Sequence, residues 1–231
     1  FPGLVLVMSN SELWIISTPI GNLEDCSLRL KKTIERCDCL LVESLKKYRR
    51  LSASLDISSS PKVFKWSLNK KNISKKKLSR LFLDGKKIGL ISDAGSPNIA
   101  DPGYQVVYLA LQNDVSIFSL PGPSSISSAL SMSRWPTLPC FIWGFPPKGE
   151  KRIFSWLSKM SEMKGTHLVF VNPVKLKDFI FLIDKFINAD LQLFSEISKI
   201  HEKRIDGPPQ KVLRTLPSQI KGEWVILIKF I

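Results

Sequence analysis

The chain is poor in the residues that most often carry metal chemistry. It has four cysteines, Cys26, Cys37, Cys39 and Cys140, with no C-x-x-C pair, and two histidines, His167 and His201, that lie far from them in sequence. That spacing disfavours a zinc site, no metal is assigned, and the thiols read as small buried hydrophobes of a reducing compartment. No apolar stretch reaches the roughly 18 to 20 residues that a spanning helix needs. The opening FPGLVLV lacks the basic flank and the length of a signal peptide. A soluble, cytoplasmic protein without a membrane partner is expected. Because Met8 opens MSNSELWIIS just ahead of the first strand-like run, residues 1–7 are expected to lie upstream of a natural start. Neither G-x-G-x-x-G nor a Walker loop is present, which removes the common NAD and ATP readings. Acidic residues are scarce as well. Twenty Asp and Glu face 34 Lys and Arg, for a formal net charge of +14 and a pI near 9.7. Such a surface draws phosphate-rich partners, nucleic acid foremost.

What is present is enough apolar material, 44% of 231 residues, for one large domain or two small ones. Strand-like and helix-like segments alternate through the first half. LWIIS (13–17), CLLVE (39–43), KVFKW, KIGLI and VSIFSL read as strands. SLRLKKTIERC reads as a helix with Leu30 and Ile34 facing a core and Asp25 or Ser27 available as cap. SLKKYRRLSASL is a basic segment. NISKKKLSRLFLDG reads as a Lys-rich helix that buries Ile73, Leu78, Leu81 and Phe82 and ends at Gly85, and PGYQVVYLALQN as the next helix. This order predicts a parallel, doubly wound sheet. From about residue 123 the rhythm changes. CFIWGF, THLVFV, LQLFSEI and EWVILIKF are separated by two clear helices, near 151–161 and 175–187, which predicts a mixed sheet. LPGPSS is the natural hinge, so the predicted domains are 11–121 and 122–231. No internal repeat is visible.

The loop SDAGSPNIADPG (92–103) packs two Asp, two Gly and two Pro behind the apolar run KIGLI. Such a loop has a shape to hold, and it lies at a strand's carboxyl end, where open parallel sheets bind ligands. TPIGNLED, SDAGSPNIADPGY, LPGPSSISSAL, GFPPK and EISKIHEK follow in the order and at the spacing of the motifs of the ribosomal RNA small subunit methyltransferase I family. That family lies within the tetrapyrrole methylase superfamily, and the resemblance runs from Leu13 to Ile231. It implies a two-domain tetrapyrrole-methylase-like α/β fold with a cleft for S-adenosylmethionine between the domains. It further implies methylation of a cytidine ribose 2′-hydroxyl in 16S rRNA, with the small ribosomal subunit as partner, and a homodimer. The charge distribution itself shows no obvious apolar interface.

By motif match the resemblance assigns Pro19, Asp93, Gly95, Ser96, Pro97, Ile99, Ser124 and Ser125 to the cofactor. Loop backbone in fixed positions can hydrogen-bond its carboxylate, ammonium and adenine without long side chains. Methyl transfer is an in-line displacement that asks mainly for alignment, and the hydroxyl must also lose a proton. Glu43, at the end of CLLVE, is the first candidate base, set against a plain ion pair with Lys46 or Lys47. Asp93 is a second and Asp101 a weaker one, since Asp in such loops makes turn hydrogen bonds. Glu196 and Glu202 match family positions without a readable role, and His201 reads as structural. Lys46, Lys47, Arg49 and Arg50, with Lys148 and Arg152, are the predicted RNA contacts, near Tyr48, Phe145 and Trp156 as stacking rings. Lys75–Lys77 and Arg80 are as readily a solvated helix face.

Two stretches depart from the family pattern. ESLKKYRRL keeps Glu43 but places Ser44 where Asp is usual, and lysines where Arg and His are usual, losing a guanidinium's planar fork. VNPVKL places Val171 and Val174 at usually acidic and His positions. These departures keep two alternatives open, a small-molecule methylase of the tetrapyrrole kind and a non-catalytic relative that binds cofactor and RNA.

Overall fold

The computed structural model describes residues 10–59, 61–66, 73–101 and 103–231, so the expectation for residues 1–7 lies outside them, as does Pro102 of the 92–103 loop. The chain divides into two compact units after Ser124. In the first, β1 (Glu12–Ile16), β2 (Cys39–Val42), β3 (Lys62–Lys65), β4 (Lys87–Ile91) and β5 (Ser116–Leu120) form one sheet in the order β3-β2-β4-β1-β5. Every pairing in it is parallel. The connecting helices are α1 (Leu30–Glu35), α2 (Leu45–Ser54), α3 (Lys75–Leu83) and α4 (Tyr104–Gln112).

Apolar residues of these strands point alternately to two covered faces, as period-two geometry requires. Leu13, Leu41, Ile88 and Leu90 pack with Leu78 and Phe82 of α3 and with Val106 and Ala110 of α4. Ile16, Leu40, Val42 and Ile91 pack on the other face with Leu30 and Ile34 of α1 and with Tyr48 of α2. The sheet is therefore doubly wound, as the sequence predicts. The chain leaving β4 departs for the face opposite to that taken from its two neighbours, β1 and β2. Strand ends where neighbouring connections diverge in this way form the crevice of open α/β sheets.

Local chemistry explains two differences from the sequence reading. The basic segment after β2 is a helix, because the Ser44 hydroxyl accepts the Lys47 N–H at 3.4 Å and Tyr48 and Leu55, seven residues apart, both pack into the α1-side core. Tyr48 is thus a core residue, only 7% exposed, and not a ring on which a base can stack. Neither Asp25 nor Ser27 caps α1. Leu23–Asp25 forms a separate 3-10 turn capped by Asn22, and the Ser27 hydroxyl accepts the Arg29 N–H at 3.3 Å, one residue before the helix starts.

In the second unit β6 (Cys140–Ile142), β7 (Thr166–Val171), β8 (Ala189–Ser195), β9 (Lys203–Gly207) and β10 (Trp224–Phe230) are ordered β6-β7-β10-β8-β9. β6 runs parallel to β7 and the other pairings are antiparallel, so the sheet is mixed as predicted. α6 (Glu150–Ser161) and α7 (Leu176–Phe186) are the two helices read between the strands, and α5 (Ser125–Ser131), directly after the hinge, and α8 (Pro209–Thr215) accompany them. α5 and α8 have seven residues each, too few to carry a readable apolar period, and β9 (KRIDG) has a single large apolar side chain. Among the described residues no helix is long and apolar enough to cross a membrane. No group of three or more His, Cys, Asp or Glu among them could hold a metal ion. The cysteines are free thiols, and burial pushes that of Cys37 up to about 12.

His167 ties this sheet together. It is fully buried on β7, its Nδ1 accepts the Trp143 indole N–H at 3.0 Å, and its Nε2–H donates to the Met163 carbonyl at 2.9 Å. Phe141 and Phe230 lie against the ring at centroid distances of 5.2 and 4.9 Å. Burial holds the imidazole below its ordinary pKa, against the partial lift from the Met163 carbonyl. The unfolded chain therefore takes up a proton near pH 6.5 that the folded chain refuses. Stability is expected to fall as pH is lowered below about 6.5 and through the depressed folded value. His167→Gln is expected to lower stability at pH 7.5 by about 1–2 kcal/mol through its disturbed hydrogen bonds and to flatten the decline between pH 7 and 5. Urea unfolding across that range measures both, and an equal decline in the variant would refute this role.

Candidate active site

Leaving β1, the chain stays buried through Ser17, Thr18, Pro19 and Ile20. The Thr18 N–H donates to the Gly95 carbonyl at 3.0 Å and the Gly95 N–H donates back to the Thr18 carbonyl at 3.1 Å. This reciprocal pair clamps the loop after β4 onto the loop after β1. Gly95 has φ +75°, a left-handed conformation in which a Cβ costs roughly 1–2 kcal/mol. The Ser92 hydroxyl donates within 3.2 Å of the Ala94 and Gly95 carbonyls, and the Thr18 hydroxyl reaches the Ser92 carbonyl at 3.4 Å. The Ser17 and Ser96 hydroxyls share a hydrogen bond of 2.7 Å. The loop after β5 joins the same block. Gly122 lies so close to Ser17 that a Cβ there would stand 2.9 Å from the Ser17 Cβ.

The structure thus brings together Pro19, Gly95 and Ser96, and it buries Pro97 beside them in the same loop. Ile99 stands exposed between Asn98 and Ala100, both at positive φ. Ser124 precedes α5 and Ser125 is its first residue. A side chain on Gly95 would meet only Ile20 at 3.5 Å and the Pro123 carbonyl at 3.8 Å. The space over Gly95 is bounded by main chain and one small apolar group. That is a cradle into which the backbone of all three loops can present hydrogen-bonding groups. Ser17, Thr18 and Gly122 hold it together, and sequence reasoning did not single them out, although all three lie inside the STPIGN and LPGPSS stretches.

Glu43 and Asp93 also meet, but not as the sequence suggests. In register, Val42 pairs with Ile91, so the first residues beyond the two strands are neighbours. The Glu43 Oε2 accepts the Asp93 N–H at 3.2 Å. Lys47, from the first turn of α2, pairs with the Asp93 carboxylate at 3.2 Å rather than with Glu43. The Lys47 side chain is 58% exposed, so this pair contributes at most about 1 kcal/mol. What it fixes is position and charge. Asp101, on the same loop, is half-buried.

Lys46, Arg49 and Arg50 are exposed on α2, and no ion pair engages them among the described residues. Spaced three and four apart, they share one helix face. Lys148 and Arg152 are exposed at the amino end of α6, Phe145 is exposed, and Trp156 packs half-buried against Trp143 and Phe179. Glu196 and Glu202 are structural. The Glu196 Oε1 accepts the Glu223 N–H at 2.9 Å and the Lys199 ammonium at 3.1 Å, and Glu202 accepts the Ser198 N–H at 2.7 Å. Burial pushes the Glu196 carboxyl up, but the Glu223 N–H and Lys199 outweigh it and hold the group below the ordinary range. His201 is exposed in the same turn. In VNPVKL, Val171 completes β7 in the core, Asn172 caps the turn Pro173–Lys175, and Val174 projects into solvent.

Known proteins share this fold. The family model described as Tetrapyrrole (Corrin/Porphyrin) Methylases matches residues 12–200. The chain is 29% identical to the ribosomal RNA small subunit methyltransferase I of Halalkalibacterium halodurans, over 94% of this chain and 75% of that protein. It is 32% identical to the protein of the same name from Thermotoga maritima, over 85% of this chain and 87% of that one. Among solved structures, a cobalt precorrin-4 methyltransferase superposes with a TM-score of 0.64 at 18% identity, covering 97% of this chain and 98% of its own. The uroporphyrin-III-C-methyltransferase of Thermus thermophilus superposes at 0.61 and 11% identity, covering 94% and 93%. These two show a shared fold. The chain belongs to the ribosomal RNA small subunit methyltransferase I family of S-adenosylmethionine-dependent methyltransferases, within the tetrapyrrole methylases.

Proposed function

We propose that this protein methylates a cytidine ribose 2′-hydroxyl of 16S rRNA in the small ribosomal subunit, as a cytoplasmic homodimer using S-adenosylmethionine. The observation that carries this reading is the clamped block of strand-tip loops in a chain whose relatives are named ribosomal RNA small subunit methyltransferase I. The residues fit the cofactor. Pro19, Gly95, Ser96 and Pro97 hold rigid main chain around the cradle, and Asp93, Ile99, Ser124 and Ser125 border it in sequence. When bound, the cofactor supplies a methyl carbon on a positive sulfur, with a thioether as leaving group.

This chain's own residues then have two tasks. The loops orient the donor, and alignment alone supplies much of the rate of such a displacement. The Asp93 carboxylate receives the hydroxyl proton, with Lys47 balancing its charge at 3.2 Å. Glu43 is a positioning residue, because its carboxylate holds the Asp93 N–H and so sets where that side chain stands. Lys46, Arg49 and Arg50 bind RNA phosphates. The exposed stripe Tyr104, Tyr108 and Leu111 along α4 is the apolar face that a second copy covers.

Mass spectrometry of 16S rRNA from cells with and without the gene tests the reaction, and an unchanged modification profile would refute it. Calorimetry tests the cofactor. Gly95→Ala is expected to lower stability by roughly 1–2 kcal/mol through left-handed strain and to weaken S-adenosylmethionine binding by placing a methyl group in the space over Gly95, and wild-type affinity in that variant would exclude the cradle. Asp93→Asn is expected to lower turnover by about 10²-fold or more. Glu43→Gln, which can still accept the Asp93 N–H, is expected to retain activity that Glu43→Ala loses. Equal activity in the two Glu43 variants would show that the Asp93 position does not depend on it. In sedimentation, Tyr108→Lys is expected to shift the chain toward monomer.

A further inference from the structure

An open depression of about 970 Å³ lies at the amino end of α6, lined by Lys148, Gly149, Glu150, Lys151, Arg152, Phe154 and Phe186. Its charge is one-sided. Glu150 is already engaged by Lys185 at 2.7 Å, whereas no ion pair among the described residues involves Lys148, Lys151 or Arg152, and all three are exposed. Its wall is aromatic. Phe154 is 46% exposed and backed by Phe186 at a centroid distance of 4.9 Å and an interplanar angle of 60°. Phe186 in turn carries the Lys185 ammonium 5.2 Å above its ring. The inner side of α6 is anchored by Leu157 and Met160 in the core of the second unit, so the groove stands on a rigid element.

Three uncompensated cations beside an exposed, braced ring match a polyanion that also carries flat apolar surfaces. We infer that this groove is a docking site for a single-stranded segment of RNA, with Lys148, Lys151 and Arg152 on successive phosphates and one unpaired base stacked on Phe154. The inference rests on the RNA-methylating reading and extends it to a second contact surface on the other unit. A bare cation cluster suits any anion. The exposed ring adds a preference for unpaired bases, since duplex bases present no free face.

The test uses the full-length chain without cofactor and a 12-nucleotide unstructured RNA, with its duplex for comparison, followed by fluorescence anisotropy across a salt series. The single strand is expected to bind more tightly than the duplex. The triple variant Lys148→Ala, Lys151→Ala, Arg152→Ala is expected to lose at least tenfold in affinity near 0.1 M salt, and its salt slope to fall by about 2, at roughly 0.7 per single-strand phosphate. Phe154→Ala is expected to cost about tenfold at unchanged slope, while Phe154→Tyr retains binding. Wild-type affinity and slope in the triple variant would overturn the proposal, as would equal loss from Phe154→Tyr and Phe154→Ala. A triple variant that loses affinity for polyglutamate but not for RNA would also overturn it, assigning the groove to an acidic protein segment. Calorimetry with S-adenosylmethionine keeps the two readings apart. A wild-type chain that binds the RNA as described but not the cofactor would refute the methyltransferase reading and leave the groove standing.

Discussion

Two main-chain hydrogen bonds between Thr18 and Gly95 set the conditions for everything proposed at this end of the sheet. Where parallel strands end, their last amides and carbonyls lose sheet partners and must find others. Here the loops after β1 and β4 satisfy each other, in an antiparallel bridge that continues two parallel strands in a new direction. Each such bond contributes only about 1 kcal/mol net. Its larger effect is geometric. The bridge needs Gly95 at φ +75°, and with Pro19 and Pro97 close by in sequence few other backbone arrangements remain. The loop after β5 is locked on by proximity, because Gly122 leaves no room against Ser17 for a side chain. The Pro and Gly residues behind the buried strand KIGLI find their place in these terms. A block of loops held by main chain requires residues that either permit unusual φ or forbid alternatives.

The same bridge explains where the charged residues lie. β4 lies between β2 and β1 and sends its chain to the opposite face. Its outgoing loop therefore meets the ends of both neighbours, the Thr18 backbone on one side and the Glu43 carboxylate on the other. Asp93 is held from two directions, through its amide by Glu43 and through its carboxylate by Lys47. Ser44, where the pattern that the sequence resembles usually has Asp, caps the helix that delivers Lys47. Asp and Ser are comparable N-caps, so this departure leaves the local geometry intact.

How much of this was legible depended on whether the controlling contact was local. Strands such as CLLVE and KIGLI, the buried side of α3 at Leu78 and Phe82, and the change from a parallel to a mixed sheet all follow from nearby periodicity, and the structure carries them. Local pattern could not show that Glu43 would hold Asp93 rather than Lys47, because that contact spans fifty residues and depends on the β2–β4 register. Nor could it show that Tyr48 turns inward among four cations. Its partners in the core, Ile34 and Leu40 among them, come from other elements. β9 was invisible because an edge strand of composition KRIDG owes its place to ladder hydrogen bonds with β8, not to its own apolar pattern.

The departures in VNPVKL carry the last step. Val171 fills the core at the end of β7, Asn172 caps the following turn, and Val174 is left in solvent with no structural duty. Set against the family pattern that the sequence resembles, the buried position is apolar here and the other stands in solvent. The positions that vary are therefore separable from the clamp at Thr18 and Gly95, which uses no side-chain charge at all. The loop clamp and the dispersed surface cations rest on different physical terms in this chain, backbone geometry for one and side-chain charge for the other. Substitution can retune the second without loosening the first.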